Sequence, residues 1–503
     1  MRLAALGILC LTVLTRLPSL LYSHPIDDET VYSIVANEIV DGGRPYIDAV
    51  ERKPPLLFWT YAAVFEIAGK FNWHALHAVA LLWVLGTMAG LYVIGQQLFD
   101  SATGLIAALL YSVFASWATW KNLAFNGELL MNLPLVWAWA IAFRRTSSRV
   151  RLDLIVAGAL LCAGFLLKQP AAIAAVPIGI YFLLPSYRAS RGFTIRSSLV
   201  HTLMLTTGFF VTLALVAFQL RRQGILADAY YWTIGDHAIR HVFWNRGIVH
   251  TLAFIGGCLP LVIGAAMGGR NDHDIWAAKR AERTTLLWLV AASVVGAAAG
   301  TRFYPHYYIQ LVPPLALLAA PYYARLWAKR TQPNRWLPGP AVSFAWLAAT
   351  VVTFAFAQSV GLAGRHSLAM ARYVTENSTP SDRIFVWGHS AKTYIDAGRR
   401  PACRYVLTYP LTGYVFGAPL PGIDTRKWIV PGAWSNLEQD FRSHPPLYVL
   451  DVRTGRSRQY PIRNFPILAG ILAESYQPVS KTDEGVIYRR FDGELPDGKT
   501  NNL

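Results

Sequence analysis

Asp27, Asp28 and Glu29 form an acidic run just after a long apolar stretch, and Asp48, Glu51, Arg52 and Lys53 follow before Pro54-Pro55. Lys121, Glu128, Lys168, Arg302 and His306 each stand at the edge of a further apolar stretch. Carboxylates and cations drawn from several separate segments suit group transfer from a phosphate-bearing donor. A carboxylate can take the proton of an incoming hydroxyl while the cations stabilise charge on the departing phosphate. Each residue also has a plainer role. The acidic run could cap the helix expected from Thr30, Lys53 and Lys168 could extend along apolar surface to lipid headgroups, and His306, among Tyr304, Tyr307 and Tyr308, could belong to an interfacial aromatic belt. What favours a joint role is that the basic-loop pattern puts all of them on one side of a membrane.

The membrane itself follows from composition. Of 503 residues, 54% are apolar and 15% charged, more apolar sequence than a soluble chain can cover. Runs long enough for a bilayer core occur at 3–21, 76–99, 103–120, 129–143, 152–167, 170–184, 199–220, 248–268, 285–300, 308–327 and 337–360, so about eleven transmembrane helices are expected. The apolar stretch 54–69 is expected to lie along the interface. Alternate connections carry the basic excess: Arg144, Arg145, Arg149 and Arg151; Arg188, Arg191 and Arg196; Arg270, Lys279, Arg280 and Arg283; Lys329, Arg330 and Arg335. Placing these in the cytoplasm puts the N-terminus inside, the first large loop (22–75) outside, and every acid and cation named above outside. The first run lacks a convincing small-residue cleavage site and reads as an uncleaved anchor.

Residues 1–360 thus form a membrane domain. Beyond 361 the composition turns mixed and polar, with strand-like pieces at 383–387, 446–452 and 485–491, which predicts a small extracytoplasmic α/β domain over 361–503. The net charge of +17 could serve nucleic acid, anionic lipid or anionic substrates, and the apolar runs favour the lipid options, with no nucleic acid. Cys10, Cys162 and Cys258 lie in apolar runs, which leaves Cys403 without a partner in a soluble segment and excludes a disulfide framework or a cysteine zinc site. Asp272-His273-Asp274 has the spacing of a metal–diphosphate motif, but it falls in a basic loop on the expected cytoplasmic side and reads as solvated loop. Glycine-rich phosphate loops are absent from the sequence, so a nucleotide donor has no evident seat.

Asp28-Glu29 with Tyr32, then Tyr46-x-Asp48 leading into Glu51-x-Lys53-Pro54-Pro55-Leu56, resembles the first outer loop of the polyprenyl-phosphate-dependent membrane glycosyltransferases. That group includes protein O-mannosyltransferases, lipid A aminoarabinose transferases and the rhizobial galacturonosyltransferases of lipopolysaccharide core. Gly127-Glu128, the run 165–170 with Lys168, and Arg302-Phe303-x-x-His306-Tyr307-Tyr308 ahead of Pro313-Pro314 extend the resemblance over roughly residues 10–330. It implies a GT-C-like, mostly α polytopic fold, a multi-pass inner (plasma) membrane protein, and an active site on the periplasmic or other extracytoplasmic face. It further implies a polyprenyl-phosphate-linked sugar donor, a glycan, lipid or protein acceptor of the cell envelope, and inversion at the anomeric centre. In such families the acid of the first-loop Asp-Glu pair is the usual base, which maps onto Asp28 with Glu29 beside it; Glu128 stands where relatives often have Asp.

Apart from the resemblance, the residues support one scheme, in which an acceptor hydroxyl gives its proton to Asp28 while Lys53, Lys168 and Arg302 hold a lipid-borne phosphate, with His306 and Asp48 close by. No cofactor is assigned from the residues. A divalent metal bridging Asp28 or Glu128 to the phosphate is chemically reasonable, but no spacing assigns its ligands. Two other classes compete: a transporter or flippase of lipid-linked sugars, which should show midplane polar groups and an inverted repeat, and a non-catalytic envelope assembly factor, which needs no convergence of acid and base.

Overall fold

The computed structural model describes residues 2–117, 119–144, 150–236, 241–270, 273–329, 340–363, 369–415 and 423–491. Two compact units emerge. The first comprises Met1–Glu29, Lys53–Leu226 and Val242–Gly364, and the second Thr30–Arg52, Ala227–His241 and Arg365–Leu503. Where the sequence suggested one boundary near 361, the second unit thus also takes in two segments from between the apolar runs.

Each apolar run of the sequence carries a helix among its described residues. The helices of the first unit are Arg2–Leu20, Pro55–Ala68, Trp73–Leu98, Ser101–Phe114, Gly127–Phe143, Val150–Leu167, Ala171–Tyr181, Ile195–Arg222, Trp244–Gly257, Leu259–Arg270, Arg280–Ala299, Val312–Lys329 and Pro340–Ala363, with shorter helical turns between them. Among the described residues three are long and apolar enough to cross a membrane unaided, or up to five if the two bent pairs near 171–191 and 244–268 each count as one span. The arrangement is mostly α; of the about eleven crossings expected, three to five meet that length and apolarity among the described residues. Arg145, Arg149, Arg330 and Arg335 of the basic loops, and Asp272, lie outside the described residues.

The first helix shows why these elements suit lipid. It exposes Leu3, Leu6, Leu9, Val13, Leu14 and Leu17 and buries Thr12, Thr15, Arg16 and Ser19. In water that distribution would be inverted, since leucine gains by burial and hydroxyls by hydration. Here Thr12 meets Ser112 (2.7 Å), and Arg16 donates to the Leu123 carbonyl (2.9 Å). Polar groups that face protein while leucines face outward are the pattern of a membrane helix. The helix Ile195–Arg222 likewise exposes Phe210, Leu215 and Phe218.

In the second unit, β1 (Arg383–Trp387), β2 (Arg400–Pro401), β3 (Tyr448–Val452), β4 (Tyr476–Thr482) and β5 (Gly485–Arg490) form one sheet in the order β2-β1-β3-β5-β4. β1 runs parallel to β2 and β3, while β5 pairs antiparallel with β3 and β4. The central strands read Ile384-Phe385-Val386-Trp387 and Tyr448-Val449-Leu450, all buried, as a strand covered on both faces requires. Gly485 opens β5 at φ +152°, where a Cβ would stand 1.9 Å from the Asp451 carbonyl oxygen; only glycine fits that approach. Glu38 pairs with Arg400, and Arg52, paired with Asp236 at 3.6 Å, lies 4.5 Å over the Tyr409 ring, so the segments 30–52 and 227–241 are tied into this unit by buried or half-buried ion pairs.

Candidate active site

The chain leaves the first helix and turns at Ile26, and Asp27 takes φ +54°, a left-handed conformation that Asp tolerates better than most residues. The turn presents Asp27 and Asp28, both half-buried, before the helix Glu29–Val40 starts. Lys53 arrives on an extended leader fixed by the prolines: a residue before proline avoids the helical region, and Pro55 then occupies the first position of the helix Pro55–Ala68, where its missing N–H costs nothing. Lys121 sits in the 3-10 turn Trp120–Leu123, whose entry Thr119 caps by accepting from the Lys121 N–H. Glu128 lies in the first turn of the helix Gly127–Phe143, where the helix dipole favours an anion. The turn between the helices Val150–Leu167 and Ala171–Tyr181 supplies Lys168, and His306 comes from the 3-10 turn Pro305–Leu311.

These segments converge. Lys168 Nζ stands 2.7 Å from Glu128 Oε1, with both side chains buried. Lys121 Nζ stands 2.6 Å from Asp27 Oδ1. His306 lies between the two pairs, its Nδ1 3.9 Å from Asp27 Oδ2 and its Nε2 4.0 Å from Glu128 Oε1. Both imidazole nitrogens, and Glu128 Oε2, are buried with no hydrogen-bond partner among the described residues. Tyr304 stacks parallel to His306 with ring centroids 5.7 Å apart, and Tyr307 meets His306 edge-on at 4.9 Å and receives Lys168 Nζ over its face at 5.1 Å. Gly127 makes room for this: a Cβ there would lie 2.8 Å from Lys168 Cδ.

Electrostatics divide the two aspartates. Burial raises the Asp28 carboxyl, but Lys53 first, then His306, Lys168 and Lys121, outweigh it and hold the group at about 2. Burial and the charge of Asp28 push Asp27 the other way, above its ordinary value, against the pull of Lys121. Burial also lowers His306, although Glu128, Asp28 and Asp27 favour its charged form. At neutral pH the site therefore holds an ionised Asp28 and a neutral imidazole able to donate from one nitrogen and accept at the other.

The remaining residues named from sequence fare differently. Glu29 is fully buried and points inward, accepting from three donors of the protein. Arg302 is half-buried in a loop with φ +55° at Thr301 and +50° at Phe303, and its charge acts on Tyr307. Asp48 belongs to the second unit, where its carboxylate accepts from the Arg44 N–H at 2.7 Å. Among the described residues no three His, Cys, Asp or Glu side chains are grouped to hold a metal ion. Sequence reasoning left out Arg246, whose guanidinium lies 5.2 Å over Tyr304 and reaches the Arg302 carbonyl at 3.5 Å. It also passed over Arg16, although an arginine inside an apolar run is a signal in itself.

Residues 52–218 match the family profile of the dolichyl-phosphate-mannose-protein mannosyltransferases, about a third of the chain. Among the solved structures that share the fold, two illustrate it. One is ArnT from Cupriavidus metallidurans bound to undecaprenyl phosphate, 14% identical with a TM-score of 0.59, the likeness covering 95% of this chain and 96% of that one. The other is the oligosaccharyltransferase AglB from Archaeoglobus fulgidus in complex with an inhibitory peptide and a dolichol-phosphate, 13% identical with a TM-score of 0.53, covering 98% of this chain and 74% of that one. No curated protein matches the chain by sequence. Matched segment and shared fold liken the chain to the membrane glycosyltransferases of the GT-C type. The resemblance to polyprenyl-phosphate-dependent enzymes read in the sequence is borne out, with mannosyltransferases and ArnT as its points of reference.

Proposed function

We propose that this protein moves a sugar from a polyprenyl-phosphate donor to a hydroxyl of a cell-envelope glycan, lipid or protein, with inversion, at the extracytoplasmic face of the inner membrane. The observation that carries the reading is the juxtaposition of an ionised, half-buried Asp28 with a buried histidine whose two nitrogens await partners, inside a ring of lysines. The acceptor oxygen attacks the anomeric carbon while its proton passes to Asp28. The bond from that carbon to the phosphate oxygen breaks, and polyprenyl phosphate departs with its charge met by Lys53, Lys168 and Arg302. His306 hydrogen-bonds the sugar or phosphate at the centre, and Glu128 orients Lys168. A base that is ionised and partly exposed can accept a proton late in the transfer, when bond formation has made the hydroxyl acidic.

Supporting a lipid-carried donor, both structural relatives were solved with a polyprenyl phosphate. Basic alternate loops support the orientation. The test is release of polyprenyl phosphate by purified protein in detergent given a labelled lipid-phosphate sugar and an envelope extract as acceptor. Label should move to a component of the extract with the configuration of its anomeric carbon reversed. Transport of intact donor across vesicles without release would replace the reading by a flippase.

A further inference from the structure

Glu29 ends the acidic run, and its residue type makes it look like a second catalytic acid. We infer instead that Glu29 is a positioning residue that fixes the Asp27–Asp28 turn against the segment carrying Lys121 and Glu128, an inference that rests on the transferase reading above. Its side chain is fully buried. Oε1 accepts from the Phe125 N–H at 2.6 Å, and Oε2 accepts from the Ile26 N–H at 2.7 Å and faces His77 Nε2 at 3.1 Å. Ile26 immediately precedes Asp27, and Phe125 lies midway between Lys121 and Glu128, so one carboxylate grips both sides of the site by their backbones.

Neighbouring groups make that grip rigid. Tyr61 donates to the Phe125 carbonyl at 2.8 Å, and Arg16 donates to the Leu123 carbonyl at 2.9 Å while its charge acts on Glu29. Ile26 of one segment and Leu123 and Ala124 of the other pack together with Leu362 in one buried apolar cluster. Three donors on a buried carboxylate leave it little capacity to take a proton from a substrate, and charge-assisted bonds to backbone N–H groups are the strong, directional kind. Displacing either segment would change the spacing between Asp28 and the Glu128–Lys168 pair, and an error of about 1 Å in such spacing can cost on the order of 10²-fold in rate.

Glu29→Gln retains one acceptor oxygen but turns an NH2 toward an N–H, so one segment is released. With the full-length protein in detergent and a polyprenyl-phosphate sugar as substrate, kcat should fall about 10–100-fold while donor KM stays within about threefold. The double variant Asp28→Asn/Glu29→Gln should be no slower than Asp28→Asn alone, because a residue that acts through the base adds nothing once the base is gone. Multiplying losses in the double variant would overturn the inference. A wild-type protein without transfer would overturn the transferase reading on which it rests, and an unimpaired Asp28→Asn would overturn Asp28 as the base. Should Glu29→Gln fail to fold, the same pairing is run with His77→Leu, which removes one donor, and His77→Gln, which keeps one. Loss in Leu with recovery in Gln to within about threefold is expected, and equal losses in both would show that the imidazole merely fills space.

Discussion

A lysine held 2.7 Å from a carboxylate and shielded from solvent cannot be removed without stranding its partner, which is the situation of Lys168 with Glu128. Lys168→Met is therefore expected to lower unfolding stability by about 3–5 kcal/mol as well as to weaken use of the donor. Adding Glu128→Gln should restore most of the stability but none of the turnover, and thermal melts alongside kinetics separate the two effects. Lys53 is the largest of the charges that hold Asp28 near 2, so Lys53→Met should raise that pKa. The sign follows directly. Asp28 stays ionised in the folded protein down to about 2, against roughly 3.9 for a free side chain, so its stabilising contribution is present above about pH 4 and is lost as pH falls through about 2. Without Lys53 that loss begins at higher pH, and the acid limb of kcat/KM, which reports the free enzyme, should move upward. An acid limb that stays in place would dissociate Lys53 from Asp28.

At the scale of elements, the apolar runs were legible because a lipid-facing helix needs a long uninterrupted stretch, and each of them carries a helix among its described residues. The turn bearing Lys168 was legible for the same reason, since it interrupts two such runs. Side-chain direction was not legible: Asp28 and Glu29 are neighbours of like charge, yet one faces the site and the other faces Phe125 and His77, and only the helix that begins at Glu29 decides this. Nor could spacing show that His306 falls between Asp27 and Glu128, which lie 101 positions apart in the chain (128 − 27). Gly127 carries a prediction of this kind. An added methyl would press on Lys168 Cδ and approach the Leu167 carbonyl oxygen at 3.3 Å, so Gly127→Ala should shift the lysine and reduce turnover several-fold while the fold survives. Turnover equal to wild type would mean that the Lys168 position has no bearing on the reaction.

For the whole molecule, the claim is that a helical membrane unit with polar faces turned inward presents one catalytic cluster to the extracytoplasmic side. Side-specific labelling tests the orientation. In a background with Cys10, the exposed native thiol, replaced, Ser23→Cys should react only from outside and Arg144→Cys only from the cytoplasm. The reverse pattern would put the cluster on the cytoplasmic face. The most direct measurement of the central claim is single-turnover transfer from a labelled polyprenyl-phosphate sugar by Asp28→Asn and Asp27→Asn, each compared with wild type together with donor binding. Asp28→Asn keeps the shape and removes the basic oxygen, so transfer should slow by about 10²-fold or more with donor binding near normal. Asp27→Asn should be milder, because asparagine tolerates the left-handed turn and loses only the pairing with Lys121. Full activity of Asp28→Asn, or a larger loss from Asp27→Asn, would contradict the assignment of Asp28 as the base.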